Sequence, residues 1–284
     1  MGQSFYEADA DARAVFDEAS ELLGYDMKAL CFEENEKLNL TQYTQPAMVT
    51  TGIAIMKVVE KQGLLPDTAA GLSLGEYEAL YAAGALSVTD AIRVVARRGE
   101  LMEAAVPAGV GAMAAVLGAE ASLIEETLSK IPEVWIANYN CPGQIVISGK
   151  KEAVEAAAEA LKARGIKRVL MLNVSGPFHS GLLREAGEEL GKVLAETEIH
   201  PLRIPYYANV TGGVVEDAAK VRGLLTEQVY SSVRFEQSIR NMLSAGVDTF
   251  YELGPGKTLA GFVKKIDREA TVINIETMED LAKI

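Results

Sequence analysis

The chain has 284 residues, is 49% hydrophobic and 24% charged, and carries a formal net charge of −13. That length holds one large domain, or a large one with a smaller insertion, and the composition is that of an ordinary globular protein. The acidity argues against nonspecific binding to nucleic acid or to an anionic membrane, and no apolar stretch approaches the ~20 residues of a membrane span. No segment reads as a signal peptide. With only Cys31 and Cys141 there is no disulfide framework, so a reduced, cytoplasmic setting is expected. There is no metal-spaced His/Cys cluster and no Gly-x4-Gly-Lys phosphate loop, so no metal or cofactor is called for.

In chain order, apolar positions at helical spacing predict a helix from Phe5 to Leu23, stopped by Gly24. A second helix is expected to start near Pro46, whose fixed φ suits the first helical position, and to run to Gly63. After Thr68-Ala69-Ala70 comes Gly71-Leu72-Ser73-Leu74-Gly75, followed by a helical stretch from Glu76 to Ala83 that ends at Gly84. Gly-x-Ser-x-Gly between a short strand and a helix is the pattern of a nucleophile elbow, a tight turn that exposes a serine hydroxyl. The glycines let the backbone fold sharply, and the N–H of the next residue faces a developing oxyanion. The plain alternative is a serine in an ordinary loop. A further helix is predicted from Thr89 to Ala104, carrying Arg93, Arg97 and Arg98.

The stretch from Val110 has its own rhythm. A strand (Gly111–Leu117), a helix (Ala121–Ile131), two strands (Val134–Tyr139 and Gln144–Ser148), a helix (Lys151–Arg164, stopped by Gly165) and a strand (Lys167–Val174) give β-α-β-β-α-β, the order of a ferredoxin-like unit. Beyond it come a helix from Ser180 to Thr197, a strand Pro205–Val210, a helix from Arg234 to Ala245, a strand Val247–Leu253, and a helix opened by Gly254-Pro255-Gly256-Lys257. This alternation predicts a mainly parallel α/β sheet interrupted by an inserted subdomain. The expected boundaries are 1–109 and 177–284 for the large domain and 110–176 for the insertion.

A serine needs a neighbour to take its proton, and histidine is the usual base near neutral pH. His179 lies in the glycine- and proline-punctuated Val174-Ser175-Gly176-Pro177-Phe178-His179-Ser180-Gly181, a loop that can carry a side chain into a site. Its plain alternative is a helix-entry residue without chemistry. His200, before Pro201, reads as a surface residue. No aspartate stands out as a third member, which leaves an amide or a backbone carbonyl to orient the histidine.

Several segments, in this order, resemble the malonyl-CoA:acyl-carrier-protein transacylases. They are Thr44-Gln45-Pro46-Ala47, Gly71-Leu72-Ser73-Leu74-Gly75-Glu76-Tyr77, Arg98-Gly99, Gly111–Ala115, Asn138–Gln144, Val174–Ser180, Asn209-Val210-Thr211-Gly212 and Glu252–Lys257. The resemblance covers nearly the whole chain and implies an α/β-hydrolase-like fold with a ferredoxin-like insertion. It also implies a cytoplasmic acyltransferase that moves malonyl from malonyl-CoA to the phosphopantetheine thiol of holo acyl carrier protein. The transfer would run through a malonyl-serine ester, need no cofactor, and supply fatty-acid synthesis, with polyketide synthesis the alternative. A monomer is expected.

By the same resemblance, Ser73 and His179 form the catalytic pair and Arg98 grips the malonate carboxylate, a task for which Arg97 has an equal claim on composition alone. Gln228 accepts a hydrogen bond from the histidine, the Leu74 N–H faces the oxyanion, and Asn140 lines the cleft, although a turn role suits an Asn near Pro-Gly equally. The Phe178-His179-Ser180 triplet resembles the malonyl-selecting version of the motif. A hydrolase with the same elbow and a non-catalytic scaffold are the competing readings; the carboxylate grip disfavours the first and turnover at Ser73 would exclude the second.

Two departures stand out. Leu72 replaces the family's usual histidine before the serine, and altered packing or rate is expected rather than lost chemistry. The family's Phe-Pro-Gly-Gln-Gly-Ser-Gln loop has no counterpart, the chain beginning as if inside the later Gly-Met-Gly. The expectation is that the coding region extends upstream, because losing one oxyanion donor costs ~2.7–4 kcal/mol of transition-state stabilisation. Carrier proteins are usually acidic, so docking calls for a basic patch. Lys150/Lys151, Lys162/Arg164/Lys167/Arg168 and Lys264/Lys265/Arg268 are the candidates, with plain solvated faces as the alternative.

Overall fold

The computed structural model describes residues 1–107, 109–174 and 176–284. The single helix expected from Phe5 to Leu23 is two, α1 (Gln3–Ala8) and α2 (Ala10–Leu23). Between them Asp9 is extended (φ −131°, ψ 137°) and its carboxylate accepts the Asp11 and Ala12 amides, so a capping residue breaks the run and starts the second helix. After the short α3 (Met27–Phe32) comes α4 (Thr41–Lys61), which begins five residues ahead of Pro46. Tertiary contacts explain the earlier start. The Thr41 N–H donates to Glu103 Oε2 at 2.9 Å, and Gly99 of the neighbouring helix lies against the backbone of Thr41 and Gln42. A proline within the second turn forfeits one ladder bond, which this packing offsets.

Strand β1 (Ala69–Ala70) leads into α5 (Gly75–Ala82) and then α6 (Val88–Ala104), whose N-cap Ser87 accepts the Asp90 amide. The central stretch is β2 (Gly111–Leu117), α7 (Ala121–Leu128), β3 (Val134–Cys141), β4 (Gln144–Lys150), α8 (Lys151–Ala163) and β5 (Arg168–Met171). Its four strands pair antiparallel in the order β3-β4-β2-β5. They enclose a core of their own around Ile124, Ile136, Ile147, Val154 and Leu161. The expected element order holds here, and only the ends differ.

The rest of the chain adds α9 (Arg184–Glu196), β6 (Tyr206–Tyr207), β7 (Val214–Val215), α10 (Val221–Gln228), α11 (Phe235–Ser244), β8 (Thr249–Leu253), α12 (Thr258–Ile266), β9 (Thr271–Ile275) and α13 (Met278–Leu281). The periodicity assigns no element to α10, β9 or α13. Among the described residues, the parallel pairings fall in two separate sheets, β1 with β6 and β8 with β9, rather than in the one mainly parallel sheet expected. The two pairs face each other across a cleft of about 660 Å³, lined in part by Ala69, Ala70, Phe250 and Leu253.

The first pair is short because its chain ends serve the turn that follows. β1 stops where Gly71 enters the elbow. β6 stops where Ala208 turns back to bond Gly213 and Asn209 hands its side chain to that elbow. The largest apolar cluster, with Phe5, Phe16, Ile53, Tyr77, Ile92 and Leu190, packs the helices around β1 and β6. No described helix is long and apolar enough to cross a membrane.

Candidate active site

Gly71 and Gly75 do different work in the elbow. A Cβ on Gly71 would lie 2.0 Å from the carbonyl carbon and oxygen of Gly75, so only glycine fits there. Gly75 meets nothing within 4 Å. Between them Ser73 is held at φ 53°, a left-handed conformation that costs a non-glycine residue about 1–3 kcal/mol and marks a strained functional turn. Asn209 clamps both sides of the turn: its Oδ1 accepts the Ser73 N–H at 2.6 Å and its Nδ2 donates to the Gly71 carbonyl at 2.6 Å. Leu72 lies against the apolar cluster of Tyr207, Val233, Phe235 and Phe262, a setting that suits an aliphatic side chain at this position.

Ser73 Oγ lies 2.7 Å from His179 Nε2. His179 is also left-handed (φ 56°) and is buried at 4% exposure, on the loop after β5. Ser175, in the same loop, lies outside the described residues. The orienting group is the main-chain carbonyl of Gln228, 2.8 Å from His179 Nδ1. Since a carbonyl only accepts, Nδ1 carries the proton and Nε2 is free to take one from the serine. Burial, and then the Arg98 charge, lower the His179 pKa from 6.5 to about 4, which keeps the ring neutral at physiological pH. His200 is half-buried and stands apart from Ser73, with Nδ1 3.6 Å from Glu198.

The structure separates the two adjacent arginines. Arg97 is half exposed and pairs with Glu100 at 2.7 Å. Arg98 is 1% exposed, and its guanidinium donates to Gln45 Oε1 at 2.8 Å, Gln228 Oε1 at 2.9 Å and Ser73 Oγ at 3.0 Å. All three acceptors are neutral, and no described carboxylate forms an ion pair with it. A buried cation with neutral partners is incompletely compensated, and a planar carboxylate is the ligand that matches its fork. Burial accordingly pushes the Arg98 pKa down from its usual value.

Leu74 stands at the amino end of α5, and no described acceptor takes its N–H. Asn140, on β3, is buried with its Oδ1 unpartnered, and it makes no described hydrogen bond to Ser73, His179 or Arg98. The structure thus brings Ser73, His179, Arg98 and Gln228 into one hydrogen-bonded group and leaves Asn140 outside it. Sequence reasoning assigned no role to Gln45, Glu76 or Asn209, all of which join that group. Each stands in a motif quoted above, with no local signal of its role in the site.

A strained serine against a neutral histidine, beside a buried arginine, has the geometry of a serine-dependent acyl-transfer site. The chain belongs to the acyl transferase domain family, whose model matches residues 1–279. It is 47% identical to the malonyl CoA-acyl carrier protein transacylase of Bacillus subtilis, over 99% of this chain and 90% of that protein. Among solved structures it is similar to an acyl carrier protein S-malonyltransferase from Vibrio cholerae, with TM-score 0.97, 40% identity, and coverage of 100% of this chain and 94% of that one. It is also similar to a malonyl-transacylase solved in complex with its type II polyketide acyl-carrier protein, with TM-score 0.96, 37% identity, and coverage of 100% and 93%.

Proposed function

We propose that this protein transfers malonyl from malonyl-CoA to the phosphopantetheine thiol of holo acyl carrier protein. The observation that carries the reading is the convergence of His179 Nε2 and Arg98 Nη2 on one oxygen, Ser73 Oγ, at 2.7 and 3.0 Å. His179 removes the hydroxyl proton as Ser73 attacks the thioester carbonyl. The tetrahedral oxyanion faces the Leu74 N–H. Collapse breaks the C–S bond, and CoA leaves as the thiol with the proton from His179. In the second half-reaction His179 deprotonates the carrier thiol, which attacks the malonyl-Ser73 ester and returns the serine. The malonyl carboxylate is only three bonds from Oγ in that ester, so an arginine already touching Oγ is within its reach. Arg98 would exchange neutral acceptors for this carboxylate, which an acetyl group does not offer.

Residues 1–109 and 177–284 form, in this reading, the α/β-hydrolase-like catalytic part, and 110–176 a ferredoxin-like insertion. The separate core and the β3-β4-β2-β5 order of the antiparallel sheet support it. Asn140 lines the substrate cleft. The enzyme is cytoplasmic and monomeric in the same reading and supplies fatty-acid synthesis. For the carrier, Lys150, Lys162 and Arg164 pair with Glu133, Glu159 and Glu126, whereas Lys151, Lys167 and Arg168, and likewise Lys264, Lys265 and Arg268, form no described ion pair. These two unpaired groups are the better docking sites for an acidic partner. The test is the intact mass after brief exposure to malonyl-CoA. A malonyl-sized gain that is absent in Ser73→Ala and discharged by holo carrier protein is expected. An adduct that decays equally fast without carrier would make the protein a hydrolase, and no adduct would end the proposal.

A further inference from the structure

Glu76, three residues after the serine, is a carboxylic acid with no exposed surface, and the mechanism above does not use it. Its Oε2 accepts Gln228 Nε2 at 2.8 Å and the Asn209 main-chain N–H at 3.3 Å, while its Oε1 has no partner. The Gln228 amide is shared further. Its Nε2 also donates to the Ser73 carbonyl at 2.8 Å, and its Oε1 accepts Arg98 Nη2 at 2.9 Å. Two acceptors, Glu76 and the Ser73 carbonyl, therefore face one end of this amide, and a cation faces the other.

A primary amide has only these two ends, and turning it over would aim its NH2 at the guanidinium, donor against donor. The acceptor-only carboxylate of Glu76 holds it the right way round. We propose that Glu76 is a positioning residue for acyl transfer, setting the Gln228 amide so that its oxygen holds Arg98 against Ser73. The arrangement also connects the two charges through one neutral group, with Glu76 and Arg98 on opposite ends of the Gln228 side chain.

The placement fits the local electrostatics. Glu76 lies in the first turn of α5, where a negative charge is favoured. Burial pushes its carboxyl up to about 7, against the Gln228 and Asn209 hydrogen bonds and the Arg98 charge. The other titratable groups around it are Tyr77 on its own helix and Tyr206 from β6, both with buried, unpartnered hydroxyls.

The inference rests on the transferase reading, and the two fail separately. At pH 8, malonyl loading of the unaltered protein on Ser73 tests the reading itself. Glu76→Gln keeps the size but can donate to Gln228, so the carboxylate's hold on the amide is lost and only the Ser73 carbonyl and Arg98 still orient it. A folded Glu76→Gln is expected to load malonyl on the order of 100-fold more slowly, the scale of a small misplacement of reacting groups, and to lose at least about tenfold in its malonyl-to-acetyl rate ratio. Glu76→Asp keeps an acceptor-only group and is expected to retain more of that ratio than Gln. A cooperatively melting Glu76→Gln with the parent ratio, or one that outperforms Glu76→Asp in it, overturns the inference even where the parent protein loads as proposed. Should Glu76→Gln not fold, equal ratios in Glu76→Asp and Glu76→Ala overturn it instead.

Discussion

At the scale of single residues, His179 and Arg98 are tuned by the same burial. The His179 pKa is depressed, from 6.5 to about 4, so its basic form persists far below the ordinary histidine range. His179 by itself therefore imposes no loss of malonyl loading between pH 8 and about 5, and a fall as pH approaches 4. Protonation of Glu76, pushed up to about 7 by burial, is expected to lower loading already through neutral pH. Stability follows the same sign: a neutral buried histidine opposes protonation, so stability is lost as pH falls from 6.5 through 4. Because the Arg98 charge is a cause of the shift, Arg98→Ala is expected to move the acid limb of the rate profile upward; an unmoved limb would show that burial alone sets it. The same variant would remove the charge-assisted pair proposed with the malonyl carboxylate, worth about 1.5–3 kcal/mol. The malonyl-over-acetyl preference should then drop on the order of 10- to 100-fold. Rates with the two CoA esters measure this, and an undiminished preference would remove Arg98 from the carboxylate grip.

At the scale of elements, the elbow depends on one glycine more than the other. Gly71→Ala would drive a methyl group into the Gly75 backbone, which cannot yield as a flexible side chain would. It is expected to destabilise the fold by about 1–3 kcal/mol, the usual cost of overpacking, and to abolish loading as Ser73 shifts. Gly75→Ala has open space at its Cβ and opens α5 with a better helix former, by up to ~1 kcal/mol. It should keep both stability and loading. Thermal melts and adduct mass on the pair decide the matter, and equal behaviour of the two would refute the asymmetry. Element boundaries were less legible than element types. Asp9 reads as one more polar residue on a helix until its carboxylate is seen capping α2, and Pro46 reads as a helix start until Gly99 and Glu103 hold a turn ahead of it.

At the scale of the molecule, a net charge of −13 must meet a partner that is usually acidic. Long-range repulsion is screened within about 10 Å at 0.1 M salt, so a local cationic patch governs the encounter. Charge reversal at Lys167 and Arg168 is expected to raise KM for holo carrier protein several-fold and to leave KM for malonyl-CoA unchanged. An unchanged carrier KM would mark these residues as a solvated face.

The sequence by itself determined the local turns and the chemistry available at them. Gly71-Leu72-Ser73-Leu74-Gly75 dictates a tight turn wherever it is placed, and the β-α-β-β-α-β order of the middle stretch follows from short-range periodicity. Ser73 and His179 were legible because a chain with two histidines offers few bases. Composition left Arg97 and Arg98 level, and only the Arg98-Gly99 resemblance favoured Arg98. Tertiary structure supplied the physical reason, because adjacent helical positions point in different directions and only Arg98 reaches the serine. It alone supplied the atom that orients His179, since a main-chain carbonyl belongs to every residue and carries no signature in the sequence. It alone joined Glu76, Asn209 and Gln228, because hydrogen bonds between groups more than 130 positions apart depend on where the chain returns, which no local pattern encodes.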